Sequence, residues 1–311
     1  SFFQDMTNVT EIPEFRLLGF HSNPYCQILL FTVILVIYIL TILGNIIIIS
    51  VVTLEPQLHS PMYKFLKNLS FLEVCYSTAI VPKMLDILLS KRKNISFSGC
   101  MAQLYCFISL GATECYLLAV MAYDRFLAVC EPLHYGVAVT ARSYTRLTLG
   151  SWITGVFTGL LPCLMVSRLH FCSDNLIDHF FCDISPLLKL SCSDTTVTEA
   201  VIFILSLLVL SSCFLLTLLS YLLIILSILK IPSASGKRVT FSTCSSHLMV
   251  ITIYYGAMIS MYVRPTYNQS SELNKAVSVL YTVVTPLLNS VIYSMRNKAF
   301  KKALENIVNR H

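Results

Sequence analysis

The chain has 311 residues, 56% hydrophobic and only 12% charged, with a mean hydropathy of +0.73. Soluble domains carry about 25% charged residues, so the composition excludes a water-soluble globule and places the chain in a bilayer. The net charge of +6 comes with no basic patch interleaved with aromatics outside loops, which excludes nucleic acid as a partner, and sparse Gly and Pro exclude a fibrous or low-complexity chain.

Residues Ser1–Asn23 lack a basic start followed by an apolar core, so the first apolar block is expected to direct membrane insertion. Apolar blocks predict helices at Tyr25–Val51, Pro61–Leu89, Ser98–Cys130, Ser143–Val166, Thr198–Leu229, Val239–Val263 and Leu273–Met295. Each reaches the roughly 20 residues that span a bilayer. A backbone in lipid must satisfy its own hydrogen bonds, which favours helices. Alternating strands of about ten residues are absent, so a membrane β-barrel is set aside. No repeat of about 20–50 residues is seen, nor any likeness between the two halves, which weighs against a transporter. The expected fold is therefore an all-α membrane protein, a seven-helix bundle, with residues 25–295 as its body. Residues 1–24 form an outer segment. Residues 296–311 form an inner one, where Arg296, Lys298, Lys301, Lys302 and Arg310 suit a short amphipathic helix on membrane lipid.

Seven spans put the two ends on opposite sides. Lys64, Lys67, Arg125, Arg142, Arg146, Lys230, Lys237, Arg238 and the five basic tail residues are assigned inside, thirteen of 22, leaving nine outside. The bias is modest, because Lys91-Arg92-Lys93 falls on the outer side. Sequons at Asn8, Asn94 and Asn268 all fall outside in this arrangement, with Asn8 the expected acceptor. Asn68-Leu-Ser70 has the same pattern inside a helix, which shows how little one sequon carries.

Twelve cysteines include no C-x-x-C pair, and no His pair has metal spacing, so no zinc site is expected. Most sit in apolar helices as small packing residues. Cys172, Cys182 and Cys192 share the loop between the fourth and fifth helices, and Cys100 opens the third. Four cysteines on an oxidising outer side are expected to pair, with three connectivities open.

Charge inside the apolar blocks is costly and marks function. Glu73 and Glu114 lie in mid-membrane; Asp124–Arg125 lies near the end of the third block, Arg125 about 16 Å below Glu114 at 1.5 Å per residue. No nucleophile, metal or cofactor motif accompanies the carboxylates, so no catalysis is expected.

Several segments point further. They are Met121-Ala-Tyr-Asp-Arg-Phe-Leu-Ala-Val-Cys-Glu-Pro-Leu-His-Tyr135, Gly44-Asn45, Pro61-Met-Tyr-Lys-Phe-Leu-Lys-Asn-Leu-Ser-Phe-Leu-Glu-Val-Cys75, Ser220-Tyr221, Thr240-Phe-Ser-Thr-Cys-Ser-Ser-His-Leu248 and Pro286-Leu-Leu-Asn-Ser-Val-Ile-Tyr-Ser-Met-Arg-Asn297. Together they resemble the odorant (olfactory) receptors, a branch of the rhodopsin-like G-protein-coupled receptors, from Phe15 to Lys302. Glu73 departs from the family's usual Asp, and Ser290 follows Asn289 where most rhodopsin-like receptors have Pro. Pro286 is expected to move the helix kink one turn outward.

The resemblance implies the pairs Cys100–Cys182 and Cys172–Cys192, holding the long loop as a lid. It implies that Arg125 pairs with Asp124 at rest and swings free on activation, with Tyr221 and Tyr293 as its partners then. Lys237, Arg238 and His247 become candidates for the G-protein face, although surface anchoring explains Lys237 and Arg238 equally well. Glu73 and Glu114, with Asn45 and Asn289 nearby, would hold a sodium ion or share a proton; no other cofactor is expected.

Above Glu114, residues Phe107, Ile108, Gly111, Ala112 and Cys115 share one helical face. The resemblance joins to them Ile202, Leu205, Ser206, Val209, Tyr255, Met258, Ile259, Tyr262, Ser278 and Thr282 as a pocket. Taken singly, an apolar residue in these stripes is better explained by ordinary helix packing; the set carries the reading. Phe107 stands where aminergic receptors carry an Asp, and the set contains no Arg or Lys. The lining suits a neutral, largely apolar volatile, with Tyr255 as the sensor of contact. The expected protein is a multi-pass plasma-membrane odorant receptor, N-terminus outside. It would bind a small-molecule odorant and raise cAMP through a stimulatory G protein of the olfactory type. A rhodopsin-like receptor for a non-odorant metabolite, and a seven-span channel or transporter, are the alternatives.

Overall fold

The computed structural model describes residues 14–20, 23–90, 93–172, 175–262 and 271–309. Its body is a bundle of long helices: α1 (Pro24–Leu54), α2 (Pro61–Leu89), α3 (Phe97–Cys130), α5 (Ala141–Ser167), α7 (Thr196–Lys230), α8 (Ala234–Tyr262) and the broken unit α9–α10 (Ser271–Val279 and Thr285–Arg296). By length and composition α1, α3, α5, α7 and the segment Leu273–Ser294 can each cross a membrane. Helices α2 and α8, 29 residues each, complete the seven; Lys64, Lys67 and Glu73 in one and Lys237, Arg238 and His247 in the other make them more polar.

Helix ends follow local chemistry. Asn23 caps α1 by accepting from the Cys26 N–H at 2.8 Å, with Pro24 at the first helical position. Ser96 and Thr140 cap α3 and α5 in the same way.

Helix α3 is the axis, packing on α2, α5 and α7. Gly155 and Gly159, one turn apart on α5, let it approach closely: a Cβ on either would run into Thr113 or Ser109 of α3. Lipid-like side chains such as Phe157, Leu208 and Leu215 cover the outward faces.

The last span is irregular. Between α9 and α10 lies a π-helical turn, Leu280–Val284. Pro286 has no N–H to offer the Thr282 carbonyl, so the ladder must slip there. The Thr285 hydroxyl donates instead to the Leu280 carbonyl at 3.1 Å. Beyond it, α11 (Lys298–Val308) is amphipathic, with Phe300 and Ala303 buried and Lys301, Lys302 and Glu305 exposed.

Four features are absent from the sequence reading. Strand β1 (Glu14–Leu17) lies between β2 (Asn94–Ser96, antiparallel) and β3 (Leu176–Ile177, parallel), so part of the N-terminal segment, for which no element was expected, is a central strand. Its Phe15 and Leu17 are fully buried, Phe15 packing edge-on against Phe171. The loops also fold into two short helices, α4 (Pro132–Ala138) and α6 (Ile184–Leu190). The π-turn is the fourth.

Candidate functional site

Two regions at opposite ends of α3 carry the polar and cavity-lining residues. At the sheet end, Cys100 of α3 is bonded to Cys182, and Cys172 to Cys192. The Cys182 N–H also donates to the Gln103 side-chain oxygen at 3.0 Å. These ties hold residues 168–172 and 175–183 across the bundle mouth. Phe181 packs on Phe107 with ring centroids 4.9 Å apart, and Phe180 stacks on Phe20. Lys275 of α9, fully buried, pairs with Asp178 at 2.7 Å. Beside it His179 is buried, and burial, aided by the Lys275 charge, pushes its imidazole down to about 3. Asp183 caps α6 through the Ile184 N–H. Its carboxyl end is enclosed although the residue is half-buried, and burial pushes it up to about 6.

Under this lid lies a small cavity of about 70 Å³. Ten expected residues line it: Phe107, Ile108, Gly111, Ala112, Cys115, Ile202, Leu205, Ser206, Val209 and Met258. Thr158, Pro162, Ile184, Leu210, Tyr254 and Tyr281 line it too, and the sequence reading did not include them. Three expected residues stand off the wall. Tyr255 packs edge-on against Phe214, its hydroxyl 3.8 Å from the Cys115 sulfur; its neighbour Tyr254 faces the cavity and donates to the Gly111 carbonyl at 3.0 Å. Thr282 turns its hydroxyl back onto the Ser278 carbonyl at 2.7 Å, and both are buried away from the cavity. Tyr281 of the π-turn takes their place, since the slipped ladder rotates the helix. The side chains of Ile259 and Tyr262 lie outside the described residues, as does Asn8 with its sequon. Asn94, by contrast, is exposed in β2 and donates to Glu14 at 2.9 Å.

Midway down, Asn289 donates to Glu73 at 2.6 Å. Glu114 is 4% exposed and within electrostatic reach of Glu73. Asn45 donates to the Thr41 carbonyl, and the side-chain oxygens of Asn45 and Asn289 are buried without a hydrogen-bond partner among the described residues. Orphaned buried carbonyl oxygens beside two acids are the donor set a hard monovalent cation takes. The described residues contain no cluster of three His, Cys, Asp or Glu arranged for a metal.

At the far end, Arg125 donates to Asp124 at 2.8 Å, both buried. The Tyr135 hydroxyl of α4 donates to the other Asp124 oxygen at 2.9 Å. Burial and the Asp124 charge push the Tyr135 phenol up. Tyr221 is within 2.8 Å of His247 Nδ1 rather than bonded to Arg125. His247 is wholly enclosed, so it is an internal partner of Tyr221 and not a surface contact. Tyr293 is 1% exposed, its hydroxyl without a hydrogen-bond partner among the described residues. Lys237 is half-buried and Arg238 exposed. On α4, Leu133 and Val137 are 92% and 78% exposed one turn apart, an apolar face with no role in the sequence reading.

The model of the olfactory receptor family matches residues 34–311. Human olfactory receptor 11L1 is 58% identical over 97% of this chain and 94% of its own length. Human olfactory receptor 6N1 is 47% identical, covering 98% of both chains, and mouse olfactory receptor 6B9 is 46% identical over 97% and 96%. The chain belongs to the olfactory receptor family. This family consists of G-protein-coupled receptors, not enzymes. The receptor thus joins a lidded apolar cavity and a buried ion pair through α3.

Proposed function

We propose that the receptor binds a small, neutral, largely apolar odorant in the cavity beneath the lid and activates a stimulatory G protein of the olfactory type, raising cAMP. The observation that carries the reading is the wall itself: its lining residues include aromatic and aliphatic side chains with Ser206, Thr158 and two tyrosines, and no Asp, Glu, Lys or Arg. A charged ligand would lose its hydration there with nothing to replace it. A few carbons buried at about 25 cal/mol per Å² and one or two hydrogen bonds give modest affinity.

In this reading the lidded end faces outside at the plasma membrane, with the N-terminus there and residues 296–311 inside. Ligand contact at Tyr254 and Met258 shifts α8, with Tyr255 behind them as a relay. Arg125 then leaves Asp124, and Tyr221 and Tyr293 receive it. Leu133 and Val137 join Lys237 and Arg238 on the G-protein face. Glu73, Glu114, Asn45 and Asn289 hold a sodium ion or a shared proton at rest. Inner-leaflet lipid receives the basic face of α11.

The test is an odorant panel read by cAMP on wild type and Arg125→Ala. Neutral compounds should raise cAMP in wild type, and the variant should reach the surface yet stay silent. A response to acids or amines alone would overturn the pocket reading, and normal signalling from the variant would overturn the coupling reading. Ligand-gated current in cells without the G protein would favour a channel.

A further inference from the structure

The cavity wall is not equally closed on all sides. Toward α8 and the last span the two tyrosines are shut in, Tyr254 0% exposed and Tyr281 3%, while Met258 is half-buried. Toward α5 and α7 more of them are half-buried, namely Ala112, Thr158, Leu205, Ser206, Val209 and Leu210, with Pro162 and Ile202 buried. Helices α5 and α7 both pack heavily on α3 and touch one another far less, as α7 and α8 also do. A seam therefore runs between them, floored by Ile108 and Ala112 of α3 and flanked by Thr158 and Pro162 on one side and Leu205 on the other. Its lower end is stopped where the Tyr116 hydroxyl meets Thr158. Its upper end is roofed by Ile184 of α6.

The lips of the seam are made for hydrocarbon. Phe157 and Leu161 on α5, and Ile204 and Leu208 on α7, are all strongly exposed. Neither Leu147–Ser167 nor Ala200–Leu229 contains a charged residue. The lid above is different: two disulfides, a three-stranded sheet, stacked aromatics and a buried Lys275–Asp178 pair stand between the cavity and water.

We infer that the seam between α5 and α7 is a lateral portal through which uncharged ligands pass from the bilayer into the cavity. The inference rests on the proposed ligand site and adds its route and a second filter. A compound must first dissolve in the membrane, so ionised molecules are excluded before they meet the wall, because charge is costly in hydrocarbon. Apolar compounds concentrate in the lipid, which compensates for the modest affinity of a small ligand.

The experiment uses the full receptor in lipid nanodiscs with Ala112→Cys as a reporter at the seam floor. It is exposed either to N-ethylmaleimide, neutral and lipid-soluble, or to a methanethiosulfonate bearing a fixed trimethylammonium charge. Labelling at position 112 is read by peptide mass mapping. The neutral reagent should label and the cation should not. Thr158→Phe or Leu205→Trp, one on each lip, should each slow neutral labelling about tenfold. Phe181→Ala, which thins the lid, should leave that rate unchanged. Equal labelling by both reagents, or a rate indifferent to both lip variants and raised by Phe181→Ala, would overturn the portal while leaving the cavity in place. No labelling by either reagent would overturn the cavity itself and the ligand site with it.

Discussion

The two ends of α3 are held by different kinds of bond. At the lidded end the helix is tied covalently through Cys100, then by the Gln103 amide to the Cys182 N–H and to the Ala79 carbonyl. At the other end the buried Asp124–Arg125 pair lies within α3 itself, one tyrosine hydroxyl of α4 reaches it, and Arg125 Nε, His247 Nε2 and the Tyr293 hydroxyl are buried without a hydrogen-bond partner among the described residues. Breaking a covalent tie needs chemistry; exchanging hydrogen-bond partners needs only a few kcal/mol, about 1.5–3 for each bond to a charged group. The contrast teaches that one end is built as a fixed frame and the other as a set of exchangeable contacts.

The sharpest way to break this contrast is to cut the frame. The Cys100–Cys182 bond closes 82 residues and Cys172–Cys192 closes 20. Loop entropy makes these worth about 4.5 and about 3 kcal/mol. Cys100→Ser should therefore remove nearly all surface receptor by cell-surface labelling, and Cys172→Ser should remove less. Equal or reversed losses would mean that the frame does not depend on α3 as its anchor.

Next in size is the exchangeable end. Asp124→Asn removes the charge that holds Arg125 and should raise ligand-free cAMP several-fold at matched surface level. Unchanged basal cAMP would show that the pair restrains nothing. Tyr135→Phe deletes one hydrogen bond to Asp124, about 1.5–3 kcal/mol at most. It should raise the basal signal in the same direction by less.

The smallest effect sharpens the picture of the lid. His179 sits at about 3 against an ordinary 6.5, so its contribution to stability is whole above pH 6.5 and is lost as pH falls toward 3. Asp183 sits at about 6 against 3.8, so its contribution is whole below 3.8 and is lost as pH rises through 6. Between pH 3.8 and 6 the two slopes oppose each other and largely cancel. His179→Phe leaves the Asp183 slope, and thermal unfolding should then move to higher temperature on acidification across that window. Asp183→Asn keeps the α6 cap and leaves the His179 slope, so unfolding should move the other way. Parallel curves for both variants would contradict the opposed pair.

Most of the bundle was legible because lipid demands long apolar helices, and their composition announces them. Asp124, Arg125, Glu73 and Glu114 stood out for the same reason, as charges where few are tolerated. The lid sheet was not legible. Glu-Phe-Arg-Leu is too short for its alternation to register, and its partners come from loops about 80 and 160 residues away. The cavity was legible as a set of faces and less so as individual residues. Tyr254 and Tyr255 are adjacent, about 100° apart around α8, and the apolar pattern does not say which of them turns inward. The last span misled for another reason: the π-turn breaks the regular spacing, so Tyr281 faces the cavity where Ser278 and Thr282 were expected. Thr158 and Pro162 were missed because the expected pocket took no residue from the fourth helix.

Strand β1 has a consequence for how the receptor is made. It is the first of the described elements to leave the ribosome, yet it sits between two strands synthesised much later. With the lidded end outside, as proposed above, the lid must stay open until Leu176–Ile177 has crossed the membrane, and only then can Glu14–Leu17 dock between its neighbours. Contacts this distant in sequence are slow to form. A tag fused close to Glu14 would intrude on this final step, so receptors tagged there should accumulate inside the cell as seven-helix bundles with an unfinished lid.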